Sequence, residues 1–246
     1  MSRQWLAMAL LFVVGFGWVT AAVLLSGPLV TIDHVVASWW QQHLGHATVG
    51  VIRRYVVLPG QRLYDVPPMA VLAAVLAWRR RQWRPLLVPL VVMVLLAIVV
   101  PGLKLLTGRT NPDSGVDLLF AGGTEYPSGH EVNAIVVWGM TFALAGRLNW
   151  AVGRWLTPHR RAALVTVMAL DVGIGVVIGR THWLSDVLAS IFLAIPLLWA
   201  ILRIGFTRPE TTQRAPVPDL RRPEAEASVG ATRSPEGSES DGCPAG

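Results

Sequence analysis

The 246-residue sequence has little charge, one lysine and one cysteine. Charged residues make up 15% of it, against about 25% in an average soluble domain. The segment from Arg208 to the C-terminus holds five arginines and seven acidic residues, which leaves 16 basic and 8 acidic residues for the first 207 positions. So few charges cannot coat a soluble domain of that size. The composition therefore argues strongly against a soluble globular enzyme.

The scarcity of cysteine excludes two further kinds of structure. Cys243 is the only cysteine and stands in the polar C-terminal segment, so no internal disulfide and no cysteine metal cluster can form. The net charge of +6 does not indicate nucleic acid as a partner, because the arginines lie between apolar runs. Arginines in that position set the topology of a membrane protein.

Long apolar runs are what the sequence does have, since hydrophobic residues make up 53% of it. A spanning helix needs about 20 such residues, and the first run is too long for a cleaved signal peptide. We therefore predict an all-α fold, a polytopic bundle of six transmembrane helices within residues 1–206. The predicted helices cover residues 5–25, about 66–78, 85–106, 130–145, 162–178 and 184–204.

The remaining segments predict how the chain is arranged in the membrane. Residues 27–62 mix charges with short apolar stretches, which favours an interfacial hairpin on the outer face. Residues 207–246 carry prolines and alternating charges, which indicates a disordered tail. With the N-terminus inside, eleven basic residues fall on the cytoplasmic face and six on the outer face, so both termini are expected in the cytoplasm of a cell-membrane protein.

Three cations run against this orientation, because Lys104, Arg109 and Arg180 fall at the outer ends of predicted helices. Fixed cations beside the backbone N–H groups of a helix N-terminus form an anion site that suits phosphate. His182 and Asp186 are four residues apart, so that the carboxylate can meet the imidazole on one helical face and hold its tautomer. These residues predict a phosphate site at the outer edge of the membrane.

The motifs resemble those of the type 2 phosphatidic acid phosphatase superfamily, which also includes the vanadium haloperoxidases. That family has a lysine followed after six residues by Arg-Pro, then Pro-Ser-Gly-His, then Ser-Arg followed after five residues by His and after three more by Asp. The second motif is intact at residues 127–130, and Lys104, Pro112, His182 and Asp186 match parts of the other two. The resemblance covers roughly residues 1–205.

Two of the three motifs depart from the family pattern. Asn111 stands where the first motif has arginine, and Gly175 and Val176 stand where the third has Ser-Arg. Arg180 follows Val176 by one helical turn, about 6 Å nearer the outer end of the same helix face. Our hypothesis is that Arg109 and Arg180 replace the lost phosphate contacts.

The resemblance implies a role for each matched residue in the loop at about 104–130 and beyond it. His182 would attack phosphorus and form a phosphohistidine, with Asp186 holding its ring. His130 would protonate the leaving oxygen and then activate water. No metal or other cofactor is implied. The phosphate-binding groups would be Lys104, Arg109, Arg180, the Ser128 hydroxyl and the Gly129 amide.

Four polar residues near these motifs could support the site: Asn111, Glu131, Asn133 and Asp171. An acidic residue in the middle of a spanning helix is costly, so we expect Asp171 to pair with Asn133 or Thr141. Glu131 is expected to favour the helix N-terminus rather than to tune His130. Asn133, one turn after His130, is expected to line the pocket.

The sequence thus predicts a metal-independent membrane phosphatase that acts on a lipid phosphate at the outer face. Phosphatidate, phosphatidylglycerophosphate, polyprenyl phosphates or diphosphates and a polyprenyl-linked sugar phosphate all remain open as substrates. A catalytically impaired phosphate- or lipid-binding regulatory protein of the same fold is the alternative, because the two motif arginines are missing. Lipid transport is disfavoured by the absence of internal repeats, and a haloperoxidase by size.

Overall fold

The computed structural model describes residues 3–148 and 151–206, and within these residues all regular structure is helical. The predicted disordered tail at 207–246, with Cys243, lies outside the described residues. The α-helices are α1 (Arg3–Leu24), α2 (Pro28–His43), α3 (His46–Val51), α4 (Arg62–Arg80), α5 (Arg84–Thr107), α6 (Gly129–Ala145), α7 (Ala151–Trp155), α8 (Pro158–Ile178) and α9 (Leu184–Ala200). Shorter turns are π-helical at Ile52–Val56 and Ile201–Gly205, and 3-10 at Leu58–Gly60 and Pro112–Ser114.

Helix α6 is the centre of the bundle and packs against α4, α8 and α9. Twelve of its 17 residues are buried, and the largest apolar cluster gathers around its Val132, Val136 and Met140. Helix α1 also packs against α9. Because α6 is enclosed on several sides, its first turn is held firmly, and the Pro-Ser-Gly-His motif leads into that turn.

The outer helices carry large apolar side chains on their exposed surfaces. Examples are Leu10 and Leu11 on α1 and Leu90 and Ile98 on α5, each at least 60% exposed. Soluble proteins rarely expose continuous apolar surface on this scale, whereas hydrocarbon tails cover it at no cost. The chain is a multi-pass helical membrane protein.

Four segments are long and apolar enough to cross a bilayer: Leu6–Leu24, Arg84–Ser114, Pro158–Ile178 and Leu184–Gly205. A count of six would add α4, which carries several charges, and α6, which is only 17 residues long. The six-span count and the orientation of the termini therefore stay predictions.

The segment expected to be an interfacial hairpin, 27–62, is almost entirely helical and partly enters the bundle. Helix α2 packs against α1, α8 and α9, and its Asp33 is 1% exposed. Trp39 and Trp40 lie edge to face, with ring centroids 4.5 Å apart, and Trp39 is half-exposed. The interfacial hairpin therefore stays a prediction, although Asp33 of α2 has hydrogen-bond partners inside the protein.

Candidate active site

A pocket of about 350 Å³ opens at one end of the bundle, where α5 and α8 end and α6 and α9 begin. The chain brings together here residues as distant in sequence as Arg53 and His182. Its lining is polar and holds three cations and both motif histidines: Arg53, Lys104, Asn111, Asp113, Thr124, Glu125, His130, Arg180, Thr181 and His182.

The two histidines face each other in this pocket. The rings of His130 and His182 are arranged edge to face, with centroids 5.8 Å apart. His130 is the second residue of α6, and His182 stands in the short link between α8 and α9. Both rings line the same pocket, so a reacting group bound there lies within reach of both, as a nucleophile and a separate acid require.

Two carboxylates approach the same nitrogen of His182. Asp186 Oδ2 lies 3.5 Å and Glu125 Oε2 lies 3.3 Å from Nδ1, which are ion-pair distances without hydrogen-bond alignment. Asp186 is held in place because Oδ2 also accepts the backbone N–H of Trp183 at 2.9 Å, at the start of α9. The expected His182–Asp186 pairing is thus present in the geometry, and a second carboxylate accompanies it.

Glu125 was not among the residues singled out from the sequence. It belongs to the loop just before Pro-Ser-Gly-His and lies near both His182 and Lys104. Burial raises the pKa of Glu125, although positive charge on His182 and Lys104 acts to lower it. Its nearness to the motif was the only signal in the sequence, and loop residues have no helical spacing that would reveal where they point.

Lys104 lies in the last turn of α5, and its Nζ donates to the backbone carbonyl of Thr124. A Cβ built at Gly129 would lie 3.8 Å from Lys104 Cε, so the lysine side chain passes within contact distance of the first residue of α6. The lone lysine therefore packs over the N-terminus of α6. This places a cation beside the helix-end N–H groups, an arrangement that favours an anion.

Arg180 is placed by the C-terminus of α8 in an unfavourable backbone conformation. The N–H of Arg180 donates to Val177 O and that of Thr181 donates to Val176 O, which is the pattern of a Schellman cap. Arg180 occupies the left-handed position of this cap, with φ at 55°, where glycine is preferred. Its side chain is nearly buried and lines the pocket, yet its Nε has no hydrogen-bond partner.

Arg109 differs from the expectation, because it does not line the pocket and is fully buried. All five of its N–H groups are used. Nε and Nη2 donate to Asp117, Nη1 donates to Ser185 Oγ and Asp186 Oδ1, and Nη2 also donates to Asp33 Oδ2. No donor is left for a substrate phosphate. In this structure Arg109 is a positioning residue that holds Asp186.

Asp33 is a residue of this cluster that sequence reasoning missed. Besides Arg109, it accepts the Ser185 N–H at 2.9 Å and the Ser185 hydroxyl. Burial raises the pKa of Asp33, although bonds from Ser185 and Arg109 act to lower it. Its partners lie 76 and 152 residues away, so no local pattern in the sequence could have indicated them.

Ser128, an expected phosphate ligand, and Asn111, an expected supporting residue, each cap the helical element that follows. Ser128 Oγ caps α6 by accepting the N–H of Glu131, and Ser128 and Gly129 are not among the residues that line the pocket. Asn111 does line the pocket, and its side chain accepts the N–H of Ser114 in the following 3-10 turn. Direct phosphate contact by Ser128 and Gly129 stays a prediction.

The three remaining residues lie away from the pocket lining. Glu131 is buried without a hydrogen-bond partner, and the Asn133 side chain donates to Gly60 O rather than entering the pocket. The expected pairing of Asp171 was wrong. Asp171 is exposed on α8, and the Thr141 hydroxyl donates to the carbonyl of Val137, one turn earlier in its own helix.

Among the described residues, no group of three or more His, Cys, Asp or Glu side chains is placed to hold a metal ion. The metal-free chemistry expected from the sequence stays a prediction.

Comparisons with known proteins agree with the fold and the motifs. The PAP2 superfamily matches residues 85–210. A search of curated proteins gave no match. Among solved structures, a transmembrane PAP2-type phosphatidylglycerolphosphate phosphatase from Bacillus subtilis is similar, with a TM-score of 0.62 and 20% sequence identity over 84% of this chain and 99% of that chain. At that identity the likeness establishes the fold alone.

Proposed function

Because the chain belongs to the PAP2 superfamily, we propose that it is a phosphatase that removes phosphate from a membrane lipid through a phosphohistidine at His182. One observation carries the proposal, namely that His130 and His182 meet in a pocket with three cations. A pocket built only to bind phosphate needs cations but not two histidines facing each other. Paired histidines suit a reaction with a nucleophile and a separate proton donor.

In the first step, His182 Nε2 attacks phosphorus while the bond from phosphorus to the lipid oxygen breaks. Asp186 and Glu125 lie against Nδ1, so Nε2 is the ring nitrogen left for the attack. The carboxylates stabilise the positive charge that develops on the ring. Protonated His130 gives its proton to the departing lipid oxygen, and the lipid leaves as an alcohol or a phosphate.

In the second step, neutral His130 takes a proton from water, whose oxygen attacks the phosphohistidine. The phosphorus–nitrogen bond breaks, inorganic phosphate forms and His182 is regenerated. Lys104 and Arg180 face the phosphoryl oxygens during both steps. Preorganised donors of this kind contribute several kcal/mol to lowering a barrier, about 2.7–4 kcal/mol for one donor.

A lipid substrate is supported by an apolar groove beside the pocket. The groove has a volume of about 840 Å³ and follows α6, α8 and α9. It reaches Leu184, two residues after His182, and its walls are nearly all apolar. A phosphate bound at His182 can thus keep its hydrocarbon tail between helices, while the polar end lies at the membrane surface, on the outer face if both termini are cytoplasmic.

The test is phosphate release by the purified protein in detergent, with EDTA present, from phosphatidate, phosphatidylglycerophosphate and polyprenyl diphosphate. We expect release from at least one lipid and none from His182→Ala. His159→Ala is the matched control, because His159 is exposed on the first turn of α8 and lies outside the pocket.

Acid and alkali treatment of the quenched enzyme adds a direct measurement. A 32P-labelled lipid should label the wild type and not His182→Ala, and the label should survive alkali but be lost in acid. Turnover that persists in His182→Ala would remove His182 as the nucleophile. Phosphate binding without release from any lipid would support the regulatory alternative instead.

A further inference from the structure

We propose that Arg53 is a phosphate-binding residue of this pocket and that Asp113 is the counterion which a substrate phosphate displaces. The inference deepens the proposed function, because it concerns how the same pocket holds its substrate. Arg53 lies outside residues 85–210, the region that matches the family, and no motif includes it.

Arg53 lines the pocket, and only part of its guanidinium is used in hydrogen bonds within the protein. It lies in the π-helical turn Ile52–Val56, and such turns are frequent at functional sites. Its Nε donates to the carbonyl of Gly179, at the end of α8, and its Nη2 pairs with Asp113 Oδ2. Within the described residues, Nη1 makes no hydrogen bond, so donors remain for a ligand in the pocket that Arg53 lines.

Asp113 lies between the two arginines of the pocket. One of its oxygens pairs with Arg53, and the other is 3.7 Å from Arg180 Nε. A carboxylate that bridges two guanidinium groups places its oxygens where a phosphate would place two of its own. Asp113 therefore occupies the phosphate position at this side of the pocket.

The pairing with Asp113 is weak enough to exchange. The side chains of Arg53 and Asp113 are 35% and 38% exposed, and exposed ion pairs contribute little to stability. A phosphate monoester carries up to two negative charges and three terminal oxygens, so it satisfies more donors than one carboxylate. Arg180 has a nearly buried Nε without a hydrogen bond, and such a donor gains from any acceptor that reaches it.

The packing explains why an arginine from this segment enters the site. A Cβ at Gly175 would come within 2.8 Å of Val56 Cγ1, so the small residue lets the chain at 52–60 lie directly on α8. Val176 is then buried in an apolar cluster with Val57. The two positions that depart from the third family motif, Gly175 and Val176, are thus covered by the segment that supplies Arg53.

Binding of inorganic phosphate to the purified full-length protein, followed by calorimetry in detergent, tests both parts. Arg53→Ala should weaken binding about tenfold, the loss that corresponds to about 1.4 kcal/mol. The phosphate affinity of Arg53→Lys should lie between those of the wild type and Arg53→Ala, since lysine cannot cap α8 and bind phosphate with the same planar group. Arg54→Ala is the matched control, because Arg54 is the exposed neighbour and does not line the pocket.

Asp113→Asn is expected to change the phosphate affinity in the opposite direction, which distinguishes a role in binding from a role in shaping the turn. Removal of the competing charge should tighten phosphate binding several-fold, whereas a residue needed only to shape the turn would weaken it when changed. Thermal unfolding of every variant shows which changes act through folding. Equal binding by Arg53→Ala and Arg54→Ala would mean that Arg53 only caps α8, and weaker binding by Asp113→Asn would exclude its role as a displaced counterion.

The same measurements distinguish this inference from the proposed function. Phosphate binding needs no turnover. Binding that depends on Arg53, in a protein that releases no phosphate from any lipid, would therefore contradict the proposed phosphatase activity and support Arg53 as a phosphate-binding residue. Suppose instead that His182→Ala abolishes turnover while Arg53→Ala changes neither turnover nor phosphate binding. That result would support the proposed phosphatase activity and contradict the role of Arg53.

Discussion

Arg109 and Arg180 look alike in the sequence, but the structure gives them opposite surroundings. Arg109 is fully buried and donates all five N–H groups, to three carboxylates and a hydroxyl. Arg180 is nearly buried too, yet its Nε has no hydrogen bond and the nearest carboxylate oxygen lies 3.7 Å away. The difference lies in the partners: a saturated arginine holds structure, whereas an arginine with open donors is ready for a ligand.

The cluster around Arg109 also shows how a binding site gains rigidity. Arg109 Nη1 joins Ser185 and Asp186, and Asp186 in turn faces His182. The guanidinium carbon lies 5.3 Å from the ring centre of Trp183, which adds a cation–π contact. The cluster thus fixes the start of α9 from behind, while Arg180, Arg53 and Lys104 face the pocket in front.

The largest effect on stability is expected from Arg109→Ala. It leaves buried carboxylates without their cation, which costs about 3–5 kcal/mol when a buried pair is broken. Thermal or denaturant unfolding in detergent should show this loss, and Arg109→Lys should recover little of it because lysine lacks the planar fork. An Arg109→Ala protein that is as stable as the wild type but binds phosphate more weakly would show that Arg109 contacts the substrate.

Asp33→Ala should have the next largest effect. It removes one partner of Arg109 and leaves the Ser185 N–H buried without an acceptor, at a cost of about 1–3 kcal/mol. Because Asp33 lies behind Asp186, we also expect a fall in kcat with little change in KM. Asp171→Ala, an exposed acidic residue, is the control, and an equal effect of the two changes would contradict the role of Asp33.

Arg180→Gly should trade stability against function. Glycine takes the left-handed position of the α8 cap without steric conflict, so the variant should be about 1 kcal/mol more stable than the wild type. The loss of a phosphate donor should lower kcat/KM about a hundredfold. Arg180→Ala should lose the same activity without the gain in stability, and normal turnover in both variants would remove Arg180 from the site.

Glu125→Gln should produce the smallest change, and one that depends on pH. Burial raises the pKa of Glu125, so the folded state holds this proton more tightly than the unfolded chain does. The wild type therefore loses stability as pH rises from the ordinary value of 4.5 through the raised one, whereas glutamine does not titrate. The two unfolding temperatures should agree below pH 4.5 and then diverge, with the variant higher; a pH-independent difference would contradict the raised pKa.

The extent of successful prediction differs between helices and ionic contacts. Predicted helices at 85–106 and 184–204 match α5 and the continuous helix from Leu184 to Gly205, because unbroken apolar runs depend on local sequence alone. Only some of the predicted phosphate ligands line the pocket. Lys104 and Arg180 line the pocket, whereas Arg109 is turned away by carboxylates that sequence spacing does not associate with it.

Local chemistry was sufficient for the membrane class and for most helix boundaries, because charge content and apolar length are short-range properties. The spacing also predicted that His182 meets Asp186, but on one helical face, whereas His182 lies in the link before α9. Tertiary structure alone decided that Asp33 and Glu125 join the site, that Arg109 is saturated and that Arg53 enters the pocket. These outcomes depend on which carboxylate lies within ion-pair distance of which arginine or histidine, and only the packing of segments distant in sequence sets those distances.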